Sequence, residues 1–165
     1  MTIAEVNALP RAGFVAEFGW IFEDSPWVAE KAWDARPFVD LAALRAAMVY
    51  VVETASRASQ LGLLRAHPDL GARARMSDAS PGEQAGVGLD RMSPGEFERL
   101  QSMNTCYRDR FGFPFLYAVK GSTVPDILTA LARRVEAPPE VEFQEALAQV
   151  FRIASFRLRD VVTGE

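Results

Sequence analysis

Residues 139–161 read PEVEFQEALAQVFRIASFRLRDV, and their spacing decides the fold class. Phe143, Leu147, Val150, Phe151, Ala154, Leu158 and Val161 recur at the interval of one buried helix face. With one residue every ~100° around a helix, Arg152 and Arg159 fall opposite that stripe, where solvated charges belong. Arg157 stands about 20° from Val150 and about 40° from Val161, beside the stripe. An arginine there snorkels to water, joins a structural ion pair or meets an anionic ligand. The spacing leaves these three open.

The same periodicity extends upstream. The segment from about Val124 to Val135 predicts a helix, and Ser93-Pro94-Gly95-Glu96 opens another with Phe97, Leu100, Asn104 and Tyr107 on one face. Asp40 can cap a helix striped by Leu41, Leu44, Met48, Val51, Val52 and Ala55 that continues toward Leu64. Ser25-Pro26 reads as cap and first residue of a helix through Trp33, and Phe14, Phe18, Ile21 and Phe22 form a further helical stripe. No alternating strand pattern persists. Phe113 to Val119 is the best strand candidate, but Pro114 argues for an extended apolar connector packed into the core. The loops are Arg36-Pro37, His67 to Ala79, Phe111 to Ser122 and Glu136 to Pro139. The reading is all-α: a single-domain helical bundle over residues 1–165, a length that suits one core.

Composition narrows the function. A hydrophobic share of 49% and a charged share of 24% are those of an ordinary globular chain. The net charge of -4 argues against nucleic acid, which needs clustered Lys and Arg. No apolar run is long enough to span a bilayer, and Met1 to Leu9 does not resemble a signal peptide. The ending Thr163-Gly164-Glu165 is not a peroxisomal address, so a cytoplasmic protein is expected. Cys106 is the only cysteine, so no intrachain disulfide forms; its helical setting reads as a packed small residue rather than a nucleophile. One histidine and one cysteine, far apart, do not make a zinc set, and no phosphate-cradling glycine motif or nucleophile elbow is present. The only lysines, Lys31 and Lys120, leave few candidates for Schiff-base chemistry.

Besides Arg157, two places can carry chemistry. His67 is the only histidine and the only side chain whose ordinary pKa, roughly 6.5, lies near neutrality. Pro68 pushes it out of the helical region, just past a helix end and at the start of the longest irregular stretch. A surface or capping histidine is the plainer reading. Ser80-Pro81-Gly82-Glu83-Gln84 has the spacing of a capping box, which is a complete structural explanation. Ser93-Pro94-Gly95-Glu96 repeats that spacing, which therefore does not mark Glu83 as catalytic over Glu96.

Five segments in order match a known family. They are Phe14-Val15 with Phe22-Glu23-Asp24-Ser25-Pro26-Trp27-Val28 and Arg36-Pro37-Phe38; His67-Pro68-Asp69-Leu70; Ser80 with Glu83-Gln84-Ala85-Gly86 and Leu89; Phe111-Gly112-Phe113-Pro114-Phe115; and Arg152-Ile153-Ala154 with Arg157-Leu158. In these, over almost its whole length, the chain resembles the 2-oxo-4-hydroxy-4-carboxy-5-ureidoimidazoline (OHCU) decarboxylases. The resemblance implies an all-helical bundle, usually a homodimer, without metal or organic cofactor, releasing CO2 from a small ureide of uric acid degradation to give (S)-allantoin. It implies catalytic roles for His67 and Glu83. It implies substrate contacts for Pro68, Ser80, Gln84 and Arg157, and for the backbone of Phe115, Leu116 and Tyr117. Two other functions suit the same residues: a catalytically silent helical ligand-binding module, which binds without turnover, and a cofactor-free ureide isomerase or racemase, which turns over without releasing CO2.

Overall fold

Several helices begin where the sequence offers a cap. Thr2 and Glu5 close a reciprocal capping box over α1 (Ile3–Ala8), and the Thr2 N–H and hydroxyl hold the Glu5 carboxyl below its ordinary range. Asp40 accepts from the Ala43 N–H at 2.8 Å and opens α4 (Leu41–Glu53). Ser93 and Glu96 form the expected box over α6 (Pro94–Phe111). Thr123 and Asp126 do the same for α7 (Val124–Arg134). Between these lie α2 (Arg11–Phe18), α3 (Trp27–Ala32), α5 (Arg57–Ala66) and two short 3₁₀ turns, Trp33–Ala35 and Leu89–Arg91. The chain closes on α8 (Pro139–Val161), with the bounds its stripe predicts. This computed structural model describes residues 1–71 and 88–163, and no strand occurs among them. No described helix is long and apolar enough to cross a membrane.

The described residues fall into two compact units, 1–66 with 150–163, and 67–149. The first packs Phe14 against Phe18 (ring centroids 4.8 Å) and Phe38 (6.1 Å), over a core that includes Leu44, Met48, Val52 and Leu158. The second is built on aromatic rings. Tyr107 meets Phe111 at 4.6 Å, Phe115 at 5.3 Å and Phe113 at 5.9 Å, and Phe113 meets Phe143 at 6.0 Å. Such tilted and edge-on pairs contribute about 0.5–1.5 kcal/mol each beyond the area they bury. Gly112 ends α6 at φ +79°, a conformation that costs a side chain dearly, and its N–H closes onto the Arg108 carbonyl. The chain then enters the connector 113–119, which is neither helix nor strand and is buried at Phe113, Phe115, Leu116, Ala118 and Val119, as expected.

Four local expectations are corrected. The stripe Phe14, Phe18, Ile21, Phe22 is not one helix, because α2 stops at Phe18. A Cβ on Gly19 would stand 2.6 Å from the Val15 carbonyl oxygen, so this tight closure needs glycine. The turn beyond it still buries Ile21 and Phe22 at 1% exposure. That burial is worth roughly 1.5–3 kcal/mol per side chain, more than the few tenths per residue that helical propensity supplies. Ser25 does not cap α3: its hydroxyl donates to the Glu23 carbonyl at 2.8 Å, and the helix starts after Pro26. The α4 stripe does not run on to Leu64, because the Ser56 hydroxyl accepts from the Ser59 N–H at 3.1 Å and opens α5 as a separate helix. Cys106 is exposed rather than packed, since α6 turns it away from the face that buries Leu100, Asn104 and Tyr107.

Candidate active site

His67 follows the last residue of α5 directly and is only 7% exposed, so it is not the surface histidine that its loop position allows. Pro68 beside it is half-buried. The segment after them is tied to α6 in the same unit. The Asn104 carboxamide donates to the Leu70 carbonyl at 3.1 Å, and Arg108 pairs with Asp69 at 2.7 Å. The Arg108–Asp69 pair is half in solvent and adds little. Asn104 is 2% exposed, so its bond is the firmer anchor. A cavity of about 450 Å³ opens beside Leu70, lined also by Phe97, Gln101, Asn104 and Thr105. Among the described residues, none of those nominated from sequence lines it.

The connector carries the second group of nominated residues. Phe115 and Leu116 are buried and Tyr117 is half-buried, its hydroxyl 3.0 Å from Ser122 Oγ. Arg134 Nη1 donates to the Leu116 carbonyl at 2.7 Å, and the Ala118 N–H donates to Gln149 Oε1 at 2.8 Å. Behind them, Arg134 faces Glu142 Oε1 through Nε at 2.7 Å and Nη2 at 2.5 Å, and the Tyr107 hydroxyl donates to that same oxygen. Burial, then the hydrogen bond to Glu142, pushes the Tyr107 hydroxyl well above its ordinary ionisation range.

Arg157, in the first unit, is 4% exposed, which removes snorkelling from its alternatives. In the loop after α2 it meets several polar groups. Nη1 donates to the Trp20 and Ile21 carbonyls at 3.4 and 3.3 Å, Nη2 pairs with Glu23 at 3.2 Å, and the guanidinium lies 5.6 Å from the Trp20 ring. That loop turns through Asp24 at φ +44°, a left-handed position that aspartate tolerates better than most residues. The Ser25 N–H closes it onto the Phe22 carbonyl at 3.1 Å. Arg152 and Arg159 are exposed, as the helical spacing requires. Ser80, Glu83 and Gln84 lie outside the described residues.

The order and spacing of these segments match a known family from end to end. The sequence profile of the OHCU decarboxylases covers residues 7–159. The chain belongs to that family. It is 48% identical over 165 residues to 2-oxo-4-hydroxy-4-carboxy-5-ureidoimidazoline decarboxylase of Haloferax volcanii, spanning 100% of this chain and 98% of that one. It is 43% identical over 162 residues to the uric acid degradation bifunctional protein of Bacillus subtilis, spanning 98% of this chain and 33% of that protein. The crystal structure of (S)-allantoin synthase superposes with a TM-score of 0.79 at 34% identity, over 98% of this chain and about half, 54%, of that one. As a family member the chain is a decarboxylase, a carbon–carbon lyase.

Four residues around these groups escaped the sequence reading: Glu23, Arg134, Glu142 and Gln149. Glu23 lies within a segment that carries the resemblance, yet nothing local pairs it with a helix more than a hundred residues later. Glu142 is about 100° from Phe143 around α8 and Gln149 about 100° from Val150, off the stripe. Both are buried because the first part of α8 is covered over a wider arc than its stripe.

Proposed function

We propose that this protein releases CO2 from 2-oxo-4-hydroxy-4-carboxy-5-ureidoimidazoline to give (S)-allantoin, a step of uric acid degradation. The observation that carries the reading is the end-to-end match to a relative named for that activity, 48% identical over all 165 residues. The carbon that loses CO2 also bears a hydroxyl and adjoins a ring imine. The electron pair left behind moves into that imine, so the substrate supplies its own electron sink and the reaction needs no cofactor. The enzyme's work is to hold the carboxylate across the ring plane and to protonate one face.

His67 is the group for proton transfer, with Glu83 setting its protonation and orientation. Such general acid–base help contributes typically about 10²- to 10⁴-fold. The burial of His67 supports the assignment, because a ring withdrawn from water is governed by the partners it meets. Arg157 takes an anionic or carbonyl oxygen of the ureide. A guanidinium carries several N–H donors in a fixed fork, and the loop of Trp20, Ile21 and Glu23 sets that fork in place. Ser80 and Gln84 hydrogen-bond the ureido and ring groups, while Pro68 and the backbone of Phe115, Leu116 and Tyr117 line the pocket. The chain acts as one domain, a cytoplasmic homodimer with a small-molecule ureide as its partner.

The test is to generate the substrate freshly and follow it by circular dichroism with and without the protein, while measuring CO2. Enantiomerically pure (S)-allantoin appearing together with CO2 supports the reading. Turnover without CO2, or binding without turnover, overturns it.

A further inference from the structure

The connector 113–119 is buried without helix or strand to fix its peptide groups, and side chains do that work instead. The Leu116 carbonyl is held by Arg134 and the Ala118 N–H by Gln149. Each holder is itself held. Glu142 fixes Arg134 through Nε and Nη2, and the guanidinium lies 4.5 Å from the centre of the Phe115 ring. The Gln149 Nε2 donates to Glu145 Oε2 at 2.7 Å, which points the amide oxygen at Ala118. Arg134, Glu142 and Gln149 are all at least nine-tenths buried, so few competing waters reach these bonds.

We infer that Gln149 and Arg134 are positioning residues for the substrate. They clamp the connector on either side of Tyr117, so that its peptide groups stand ready for the alternating N–H and C=O groups of a ureide. A buried polar site discriminates by whether each group finds its partner, and a peptide free to rock by an ångström would lose that selectivity. The inference rests on the reading that the backbone of Phe115 to Tyr117 lines the substrate pocket.

Gln149→Met keeps the length of the side chain but removes the acceptor. The double variant Glu145→Gln with Gln149→Glu exchanges the two side chains and restores an acceptor opposite Ala118. Amide NMR of the wild type titrated with (S)-allantoin reports whether the connector lines the pocket. The expected result is perturbed Leu116, Tyr117 and Ala118 amides in the wild type. In Gln149→Met, KM and the Kd for (S)-allantoin rise about tenfold, with kcat changed less than about threefold, as loss of one well-placed hydrogen bond predicts. The exchanged pair returns both constants to within about threefold of wild type. A merely structural role would lower Tm and leave KM alone below the transition. If Gln149→Met does not fold, Glu145→Ala, which frees the Gln149 amide to turn, takes its place with the same expectation. Perturbed amides with unchanged KM and Kd overturn the positioning role alone. Unperturbed amides in the wild type overturn the lining role and the inference with it.

Discussion

His67 is buried one residue beyond the end of α5, so replacing it tests chemistry only if the cavity left behind is small. His67→Asn keeps a polar side chain there and is the variant of choice. It is expected to lower kcat by about 10²- to 10⁴-fold with little change in Tm, read from the initial rate of (S)-allantoin formation. Near-normal turnover in the folded variant would falsify the proton-transfer role. Arg157 poses the complementary question of a buried charge. Glu23→Ala removes the Glu23 carboxylate from beside that guanidinium and should destabilise the fold by about 2–3 kcal/mol, measured by urea unfolding. Equal stability of variant and wild type would mean that the Glu23 pair contributes nothing to holding Arg157.

At the scale of elements, the two Ser-Pro-Gly-Glu segments separate structure from chemistry. Glu96 closes the capping box of α6, so Glu96→Gln should cost stability alone, at most about 0.5–2 kcal/mol, with the pH–rate profile unmoved. Glu83→Gln, matched for thermal stability, is expected to shift that profile and cut the rate, because the proposed partner of His67 would lose its charge. Identical profiles in the two variants would reduce Glu83 to a cap. The contact of α6 with α8 gives a second pH dependence. Folded Tyr107 keeps its proton to higher pH than the unfolded chain, where tyrosine ionises near about pH 10. Its contribution is therefore whole below about pH 10 and is lost as pH rises through and above that value. Between about pH 9.5 and 11 the wild type should lose unfolding free energy more steeply than Tyr107→Phe. Parallel curves would show that Tyr107 ionises alike folded and unfolded.

For the molecule as a whole, the family's chemistry is expected to run without a metal. The chain has one histidine and one cysteine, and Cys106 is exposed on α6, so the usual nitrogen and sulfur ligand set is missing. Dialysis against a strong chelator should leave the rate of decarboxylation unchanged. A loss of activity restored by zinc or manganese would require a different mechanism.

Local physics alone made much of this molecule legible. The faces of α6 and α8, the helix at α7, the caps at Asp40 and Ser93, the buried connector after Gly112 and the place of Arg157 beside the α8 stripe all follow from helical spacing and from hydrogen bonds three or four residues long. The His-Pro segment and the late arginine also marked the family, because five short segments in fixed order resemble one set of proteins. Other features depended on partners distant in sequence. The stop of α2 at Phe18 reflects where Ile21 and Phe22 find cover. The burial of Glu142 and Gln149 reflects α8 being packed around more of its circumference than its apolar stripe, and Asn104 became an anchor by meeting Leu70 34 residues away. Glu23 met Arg157 across the length of the chain. Spacing records which side of a helix prefers water. Which polar group relieves another in the interior is set only when distant segments pack together and shut water out.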